Sequence, residues 1–396
     1  MVKEIINVIK YRTSIIFLNQ NFYSIGPFYY FRYLIKINMT IFKKLFIPGP
    51  TQVHPDVLAK MATPMIGHRG KDASDLQRNI SDKLREVLFT RNKIVLSTSS
   101  GTGLMEGAIR SATAKKAIVF SVGSFGDRWA ELAKLNGVPC DLHREEDGQP
   151  TMPETVDKYL KTGQYDVVTI THNETSSGIM NPTDAIAVVV KKYPDVVWMV
   201  DAVSSAAGAK IEVDKLGIDI CITSTQKALA LPPGLAICSV SPKAEQRFEV
   251  VGNKGYYLDL KNLVKYVDKN DYQYSSTPSL SHMFALDFQL DRILKEGLEN
   301  RFLRHIEMAE FMIDWGNQHF KVFPEAGFES MTLTVIENTK GFSFKDLNNE
   351  LGIRGMQIAN GYGNLKNKTF RIAHMGELVM DDMLEVTRAI EDILKL

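Results

Sequence analysis

The stretch DICITSTQKALALPPG, residues 219–234, joins a short apolar run to a lysine that closely follows it. The run DICIT is typical of a fully buried strand of a parallel sheet, and LPPG prevents a helix from continuing. Lys227 is therefore predicted just beyond the carboxyl end of a strand. In open α/β sheets that edge binds ligands, and a lysine desolvated there can act as a nucleophile or a base. On this stretch alone, a lysine in an ordinary surface loop remains the alternative.

Apolar strand-like runs alternate with amphipathic helical stretches between residues 90 and 240, which predicts an α/β fold with a mainly parallel sheet. The predicted strands are KIVLSTS, KAIVFSV, YDVVTITH, VVWMVDAV, DICITST and LAICSV. We expect the chemistry to gather where these strands end. A long helical region and a mixed segment with TLTVI, TFRIAHMG and a closing helix from Asp381 follow. We predict a large domain over 39–297 and a smaller α+β domain over 298–396.

Composition argues against several kinds of partner. The net charge of +1, with both signs interspersed, provides no basic stripe for nucleic acid, so small neutral or anionic metabolites are the expected ligands. The three cysteines, Cys140, Cys221 and Cys238, have neither CxxC nor metal-ligand spacing. We predict that they are reduced core residues in a cytoplasmic protein without a metal site.

Residues 1–38 differ from the rest of the chain because they are aromatic-rich and unpatterned. We predict that they form an extension without a core of its own and that Met39 begins the functional protein. The uncharged stretch from Thr13 to Phe31 has the length of a membrane span, but its polar and helix-breaking residues argue against one.

The segment SSGTGLMEGA, residues 99–108, follows the first predicted strand and begins a helix. Its small residues allow backbone N–H groups to converge, and Ser100 and Thr102 add hydroxyls, which favours a phosphate site. The glycine order differs from the dinucleotide pattern GxGxxG, and no acidic residue ends the second strand, so a nicotinamide site is the weaker alternative. A simple tight connection is the other alternative.

Two further strand ends carry candidate ligand contacts. Phe125 stands between glycines in GSFGDRW, where a flat ligand could stack on its ring, although core packing explains it as well. Asp201 ends the apolar run in MVDAV, and a carboxylate there needs a cationic or hydrogen-bonding partner. A protonated ring nitrogen would serve, and capping of the next turn is the alternative. Together with Lys227 and the phosphate site, these features match pyridoxal 5'-phosphate (PLP).

With these features in place, the sequence resembles the class V aminotransferases of the fold-type I PLP-dependent enzymes, most closely the alanine:glyoxylate and serine:pyruvate aminotransferases. The resemblance extends from about Phe46 to the C-terminus. It rests on IPGPTQVHP, MIGHRGKD, SSGTGLMEGA, THNETSSG, VDAVSSAAG, STQKALALPPG, YYLDLKNL, YSSTPSLSHMFAL and FRIAHMG. The order and spacing of these segments make a chance match negligible.

The resemblance implies a role for each matching residue. Lys227 would form the Schiff base and Asp201 would pair with the pyridine nitrogen, while Arg371 would bind the substrate carboxylate and Gly49 would let the N-terminal segment pass close over the substrate. The remaining cofactor contacts would come from Ser100, Gly101, Thr102, Phe125, Thr175, Val203 and Gln226. Tyr274 and Thr277 would complete the phosphate site of the neighbouring subunit, so a homodimer with shared active sites is expected. His172 and Glu174 are interpreted as structural.

The implied reaction is ping-pong transamination, in which Lys227 also acts as the general base. Since Arg371 is the only cation that the sequence indicates for the substrate, we expect small donors, alanine or serine, with glyoxylate or pyruvate as acceptor. A PLP-dependent lyase of the cysteine desulfurase or kynureninase type, or a non-catalytic relative with the same fold, is the alternative. A desulfurase requires a reactive cysteine on a mobile loop, and the cysteines here are predicted to be buried.

Overall fold

The computed structural model describes residues 43–252 and 255–396, so the predictions for residues 1–38 lie outside the described part of the chain. The strands are β1 Lys44–Phe46, β2 Lys93–Ser97, β3 Ala117–Ser121, β4 Cys140–Arg144, β5 Val167–Thr171, β6 Asn173–Glu174, β7 Ile179–Met180, β8 Val197–Asp201, β9 Ile220–Ser224, β10 Ala236–Val240, β11 Lys321–Val322, β12 Leu333–Glu337, β13 Met356–Asn360 and β14 Thr369–Ala373.

The helices connect and cover these strands. They are α1 Pro55–Lys60, α2 Lys71–Val87, α3 Gly101–Ala112, α4 Ser124–Leu135, α5 Pro153–Leu160, α6 Thr183–Val190, α7 Val213–Leu216, α8 Pro242–Val250, α9 Leu260–Lys269, α10 Leu280–Glu296, α11 Leu298–His319, α12 Phe344–Ile353 and α13 Met380–Leu394. The long helical region predicted after Asp271 is interrupted at Gly297, whose φ of +86° favours glycine and separates α10 from α11.

A seven-stranded sheet in the order β2-β10-β9-β8-β5-β3-β4 forms the centre of the structure. All six predicted runs are strands of this sheet, and the predicted α/β fold of type I with a mainly parallel sheet is confirmed. Strands β3, β4, β5, β8 and β9 are parallel, whereas β10 is antiparallel to both β9 and β2. The expectation that LAICSV ends at the ligand-binding edge is therefore wrong, because the carboxyl end of β10 points to the opposite edge.

Both faces of this sheet are buried along its inner strands, which explains why those strands are mostly apolar. Trp198 and Val200 of β8 face one core cluster, and Val197 and Met199, which alternate with them, face the other. The period of two places alternate side chains on opposite faces. Strand β4 was not predicted because it lies at the sheet edge and carries Asp, His and Arg, which obscure the apolar pattern.

A second, mixed sheet in the order β1-β13-β14-β12-β11 lies in the C-terminal part. Its core includes Phe46, Trp315 and Phe370, covered by helices α11, α12 and α13. Strand β1 pairs with β13 in parallel, so residues 44–46 join a sheet otherwise built from residues after 320. The domain division at 297/298 remains a prediction, and β1 is a strand of the predicted large domain that pairs with a strand of the predicted small one.

Among residues 43–252 and 255–396, no helix has the length and apolar character needed to cross a bilayer. The stretch from Thr13 to Phe31 lies outside these described residues.

Candidate active site

Lys227 lies three residues beyond the end of β9, at the sheet edge that its sequence position predicts. It is 9% exposed, and its Nζ donates a hydrogen bond to the carbonyl oxygen of Pro48. Burial, reinforced by the positive charge of Arg371, lowers the pKa of Lys227 from 10.5 to about 8. Close to neutral pH the amine can therefore lose its proton, which both a nucleophile and a base must do.

Asp201 ends β8, the strand adjacent to β9, and is 3% exposed. Its Oδ1 accepts a hydrogen bond from the amide of Val203 at 2.8 Å, so it also caps the turn that follows. Among the described residues it forms no ion pair, and burial raises its pKa to about 7 although the Val203 amide opposes the rise. A buried carboxylate without a cationic partner suits the positive group of a ligand.

The predicted phosphate cradle is the N-terminus of α3. Ser100 is the N-cap residue, its side chain makes no capping hydrogen bond, and no acidic residue stands in the first turn. A Cβ atom on Gly101 would lie 2.6 Å from Cγ2 of Val203 and 3.5 Å from Oγ of Ser224, so glycine alone permits this approach. The Ser224 hydroxyl is buried and has no hydrogen-bond partner among the described residues. The backbone N–H groups at a helix N-terminus, together with a hydroxyl that has no hydrogen-bond partner, can bind an anion.

A pocket of about 380 Å³ brings five predicted residues together. They are Gly49, Phe125, Thr175, Lys227 and Arg371. The other predicted residues lie outside its lining in the described structure, and these are Ser100, Gly101, Thr102, Asp201, Val203, Gln226, Tyr274 and Thr277. Val203 links Asp201 to the α3 N-terminus, because its amide donates to Asp201 and its side chain lies against the Gly101 position.

Arg371, in β14, forms the positive wall of the pocket. Its Nε donates to the carbonyl of Asn360 at 2.8 Å, and one terminal nitrogen donates to the carbonyl of Thr175 at 3.3 Å. It is 9% exposed, and burial lowers its pKa to about 10. No carboxylate of the described chain pairs with it, so its fork is oriented by backbone carbonyls and remains available to a substrate carboxylate.

Thr175 follows the short strand β6 and is fixed through its hydroxyl. That hydroxyl donates to Oγ of Ser204 at 2.9 Å, and Ser204 donates in turn to the carbonyl of Asn173 at 2.7 Å. Because this hydroxyl already donates to Ser204, it could meet the phenolic oxygen of the cofactor only as an acceptor. That contact remains a prediction.

Phe125 does not present a free ring to the pocket. It stacks on Tyr362, with ring centroids 5.6 Å apart and planes inclined by 19°. The guanidinium carbon of Arg128 lies 5.0 Å from the Phe125 centroid. The stacking of a flat ligand on Phe125 remains a prediction, and the Phe125 ring already stacks on Tyr362 next to an arginine.

Glu174 has a structural role that explains its burial. One carboxylate oxygen accepts from the amides of Phe125 and Gly126 at 3.0 Å each, and the other accepts from the amide and hydroxyl of Ser176 at 3.0 and 2.6 Å. The carboxylate thus caps the N-terminus of α4 and holds the backbone of Phe125 in place. His172 is buried and contacts the Ser205 hydroxyl at 2.9 Å, with its pKa lowered by burial to about 4. These contacts agree with the structural interpretation of both residues.

Tyr274 and Thr277 lie near the start of α10, and their role toward a second subunit remains a prediction. The Tyr274 hydroxyl accepts a hydrogen bond from the amide of Thr98 in its own chain at 3.1 Å, whereas Thr277 is exposed. Arg69 donates to the carbonyl of Tyr274 at 2.5 Å, so it fixes this loop. Gln226 is half-buried, and its carbonyl accepts from the amide of Thr51 at 3.1 Å.

Sequence reasoning missed four residues that the structure places at or near the site. Tyr362 and Asn360 line the pocket, Arg128 contacts Tyr362, and Ser224 faces the α3 N-terminus. The signals were weak: a tyrosine between two glycines in NGYGN, and a serine that ends an apolar strand. Arg128 sits in an amphipathic helix, where an arginine is ordinarily solvated.

The cysteines lie away from the pocket. Cys221 and Cys238 are buried strand residues, as predicted, but Cys140 is only half-buried because β4 is an edge strand. Burial raises the pKa of the Cys140 thiol to about 11, so it stays protonated and unreactive at neutral pH. Among the described residues, no cluster of histidine, cysteine, aspartate and glutamate could hold a metal ion.

Comparison with known proteins agrees with this geometry. The family model described as aminotransferase class-V matches residues 45–315. An uncharacterised aminotransferase of Methanocaldococcus jannaschii is 38% identical, covering 89% of this chain and 93% of the relative. L-aspartate–glyoxylate aminotransferase of Paracoccus denitrificans is 31% identical, covering 86% and 88%. The crystal structure of ureidoglycine–glyoxylate aminotransferase from Bacillus subtilis superposes with a TM-score of 0.82 at 26% identity, covering 89% and 93%.

Proposed function

The chain belongs to the class-V aminotransferase family, and we propose that it moves the amino group of a small amino acid, alanine or serine, to glyoxylate or pyruvate with PLP as cofactor. The observation that carries this proposal is the pocket that holds a buried lysine of lowered pKa opposite an arginine without an acidic partner. A lysine that can lose its proton and a fork for one carboxylate are what transamination of an amino acid requires.

The site residues fit PLP by their chemistry. Lys227 would hold its aldehyde, the buried carboxylate of Asp201 its ring nitrogen, and the α3 N-terminus with the uncommitted Ser224 hydroxyl its phosphate. When bound, PLP supplies a ring that withdraws electrons from the α-carbon of the amino acid. Gly101 supports this fit because any side chain there would fill the approach to Val203.

The residues of the chain then have distinct tasks. Arg371 binds the substrate carboxylate and fixes its orientation, because backbone carbonyls hold the guanidinium on two sides. Lys227, with Nζ directed by the Pro48 carbonyl, takes the proton from the α-carbon of the amino donor and, in the second half of the reaction, delivers one to the α-carbon of the acceptor. Asp201 would pair with the ring nitrogen, whose positive charge would offset the burial that otherwise raises the pKa of this carboxyl to about 7, and the Gly49 segment shields the lysine from water.

Glyoxylate as acceptor is supported by the names of two relatives, which both use it. One of these names also gives aspartate as donor, and the proposal does not adopt that donor for this chain. In the described part of the chain, Arg371 is the sole arginine or lysine besides Lys227 among the pocket-lining residues. A second, distal carboxylate would be buried there unpaired, at a cost of several kcal/mol.

The PLP-dependent lyase alternative is weaker on the same evidence. A desulfurase needs a thiolate near the substrate, whereas Cys140, Cys221 and Cys238 lie outside the pocket lining and burial raises the pKa of each thiol.

The test is a donor panel with the PLP-loaded protein at fixed glyoxylate, comparing kcat/KM for alanine, serine, aspartate and glutamate. We expect the two small donors to exceed the dicarboxylates by about a thousandfold. Equal use of all four would contradict the choice of small donors, and no turnover with any donor would contradict the activity. Release of alanine from cysteine or from kynurenine, without any 2-oxo acid acceptor, would support the lyase instead.

A further inference from the structure

The Tyr362 side chain extends from one arginine of the site to another. Arg371 places its guanidinium carbon 5.5 Å from the Tyr362 ring centroid, and Arg128 donates to the Tyr362 hydroxyl at 3.4 Å. The ring also stacks on Phe125. Tyr362, Phe125 and Arg371 line the pocket, while Arg128 is absent from its described lining. The Tyr362 side chain therefore forms the wall that separates the pocket from Arg128.

Arg128 is a half-buried cation that forms no salt bridge with a described residue, although its charge acts at longer range on the carboxyl of Asp201. Its neighbour Asp127 pairs instead with Arg144. Within the described residues, the direct contacts of Arg128 are the Phe125 ring and the Tyr362 hydroxyl, both of which are neutral. Its terminal nitrogens can therefore still bind a carboxylate.

The loop that carries Tyr362 is pinned on both sides of the tyrosine. A Cβ atom on Gly361 would lie 2.0 Å from the carbonyl oxygen of Leu365, and one on Gly363, with φ +56°, would lie 2.7 Å from Oγ of Ser124. Two residues before the tyrosine, the carbonyl of Asn360 accepts a hydrogen bond from Nε of Arg371. These contacts hold the phenol at a set distance from the carboxylate-binding guanidinium.

We propose that Tyr362 determines donor specificity by standing between the bound substrate and Arg128; this rests on the aminotransferase activity proposed above. The small side chain of alanine or serine can pack against the Tyr362 ring without leaving a charge unpaired. The distal carboxylate of aspartate meets the same apolar face instead of a cation and stays unpaired. With the ring removed, that carboxylate can reach Arg128 and gain a charge-assisted hydrogen bond.

The test compares the wild type with Tyr362→Ala, Tyr362→Phe and the double variant Tyr362→Ala/Arg128→Gln. Isothermal titration measures the affinity for succinate and for propionate, and kinetics at fixed glyoxylate measure kcat/KM for aspartate and alanine. In Tyr362→Ala we expect both dicarboxylate-to-monocarboxylate ratios to rise about tenfold to a hundredfold. In the double variant both ratios return toward the wild-type values.

Two controls separate the ring from other effects. Tyr362→Phe keeps the wall and should hold both ratios within about twofold of the wild type, since the wall is apolar. Arg388→Gln removes an exposed arginine from α13 and should leave both ratios unchanged.

The proposal is overturned if Tyr362→Ala leaves both ratios at the wild-type values, or if the increase persists after Arg128 is replaced. A wild type that already binds succinate as tightly as Tyr362→Ala overturns it too. Absence of turnover with every donor in every variant would count against the proposed activity alone, and the ratio of the two affinities would then decide the role of Tyr362.

Discussion

Gly49 lies against Lys227 so closely that a Cβ atom on the glycine would stand 2.7 Å from Cδ of the lysine. The carbonyl oxygen of Gln226 would lie 2.9 Å from the same atom, and the φ of +90° at Gly49 independently favours glycine. The path of the lysine side chain through the pocket thus depends on the missing side chain of a residue 178 positions away in the sequence.

Gly49→Ala should impair the site while leaving the protein folded. Backbone strain and the displaced lysine together should lower kcat/KM roughly tenfold to a hundredfold and weaken PLP binding, measured by fluorescence titration. The matched control is Gly163→Ala, which has a positive φ of +66° with open space around it and should cost stability alone. Unchanged turnover in Gly49→Ala would show that Lys227 can move aside.

Lys227→Ala should fold but lose covalent attachment of PLP. After incubation with PLP and borohydride reduction, mass spectrometry of wild-type peptides should find the cofactor mass on the peptide that contains Lys227, and the variant should lack it. Lys215→Ala on short helix α7 is the surface control. Labelling of the variant at a different lysine, with turnover retained, would remove Lys227 from the role proposed for it.

Asp201 predicts a pH dependence of stability in the PLP-free protein. Its pKa is about 7 in the folded chain against an ordinary value of 3.8 for an aspartate, so between these values the folded state holds a proton that the unfolded state has lost. The free energy of unfolding therefore falls as pH rises through this window, on the order of a few kcal/mol in total, and stays lower above it. Asp201→Asn lacks this contribution, so the difference in melting temperature, variant minus wild type, should grow between pH 4 and pH 7. A difference that is constant with pH would contradict the raised pKa.

The same substitution tests the chemistry in the loaded enzyme. A neutral amide at position 201 cannot hold the ring nitrogen protonated, so Asp201→Asn should retain bound PLP yet lose about a hundredfold or more in kcat. Equilibrium dialysis and single-turnover kinetics separate the two effects. Turnover close to the wild-type value would leave Asp201 with its observed role, the hydrogen bond to the Val203 amide.

If Tyr274 completes the phosphate site of the neighbouring subunit, the protein is a homodimer with shared active sites. Mixing the inactive variants Lys227→Ala and Tyr274→Ala should restore activity, up to half of the wild-type activity in a pure heterodimer, because one of its two sites then carries both lesions and the other neither. Subunit exchange is verified with a mass tag. Because the Tyr274 hydroxyl also accepts from Thr98 in its own chain, circular dichroism must first show that Tyr274→Ala is folded. Confirmed exchange without recovery would assign Tyr274 to the site of its own subunit.

The main residues of the site could be predicted because each is tied to a strand. Asp201 ends one apolar strand and Lys227 follows another, and parallel strands deliver both to the same edge. Tyr362 and Arg128 could not be predicted in this way, since they meet only after folding, 234 residues apart in sequence. Neither a tyrosine in a glycine-rich loop nor an arginine on a helix produces a periodic signal.

The pairing of β1 with β13 also helps to set the relative position of the two cations of the site, Lys227 and Arg371. Phe46 and Ile358 are register partners, and the residues two positions beyond them, Pro48 and Asn360, each offer a carbonyl to one cation. Lys227 is held by the first carbonyl and Arg371 by the second. The relative position of the amine and the carboxylate-binding fork therefore depends on the register of this strand pair. A slip of this pairing by one residue would leave both side chains intact and spoil their separation.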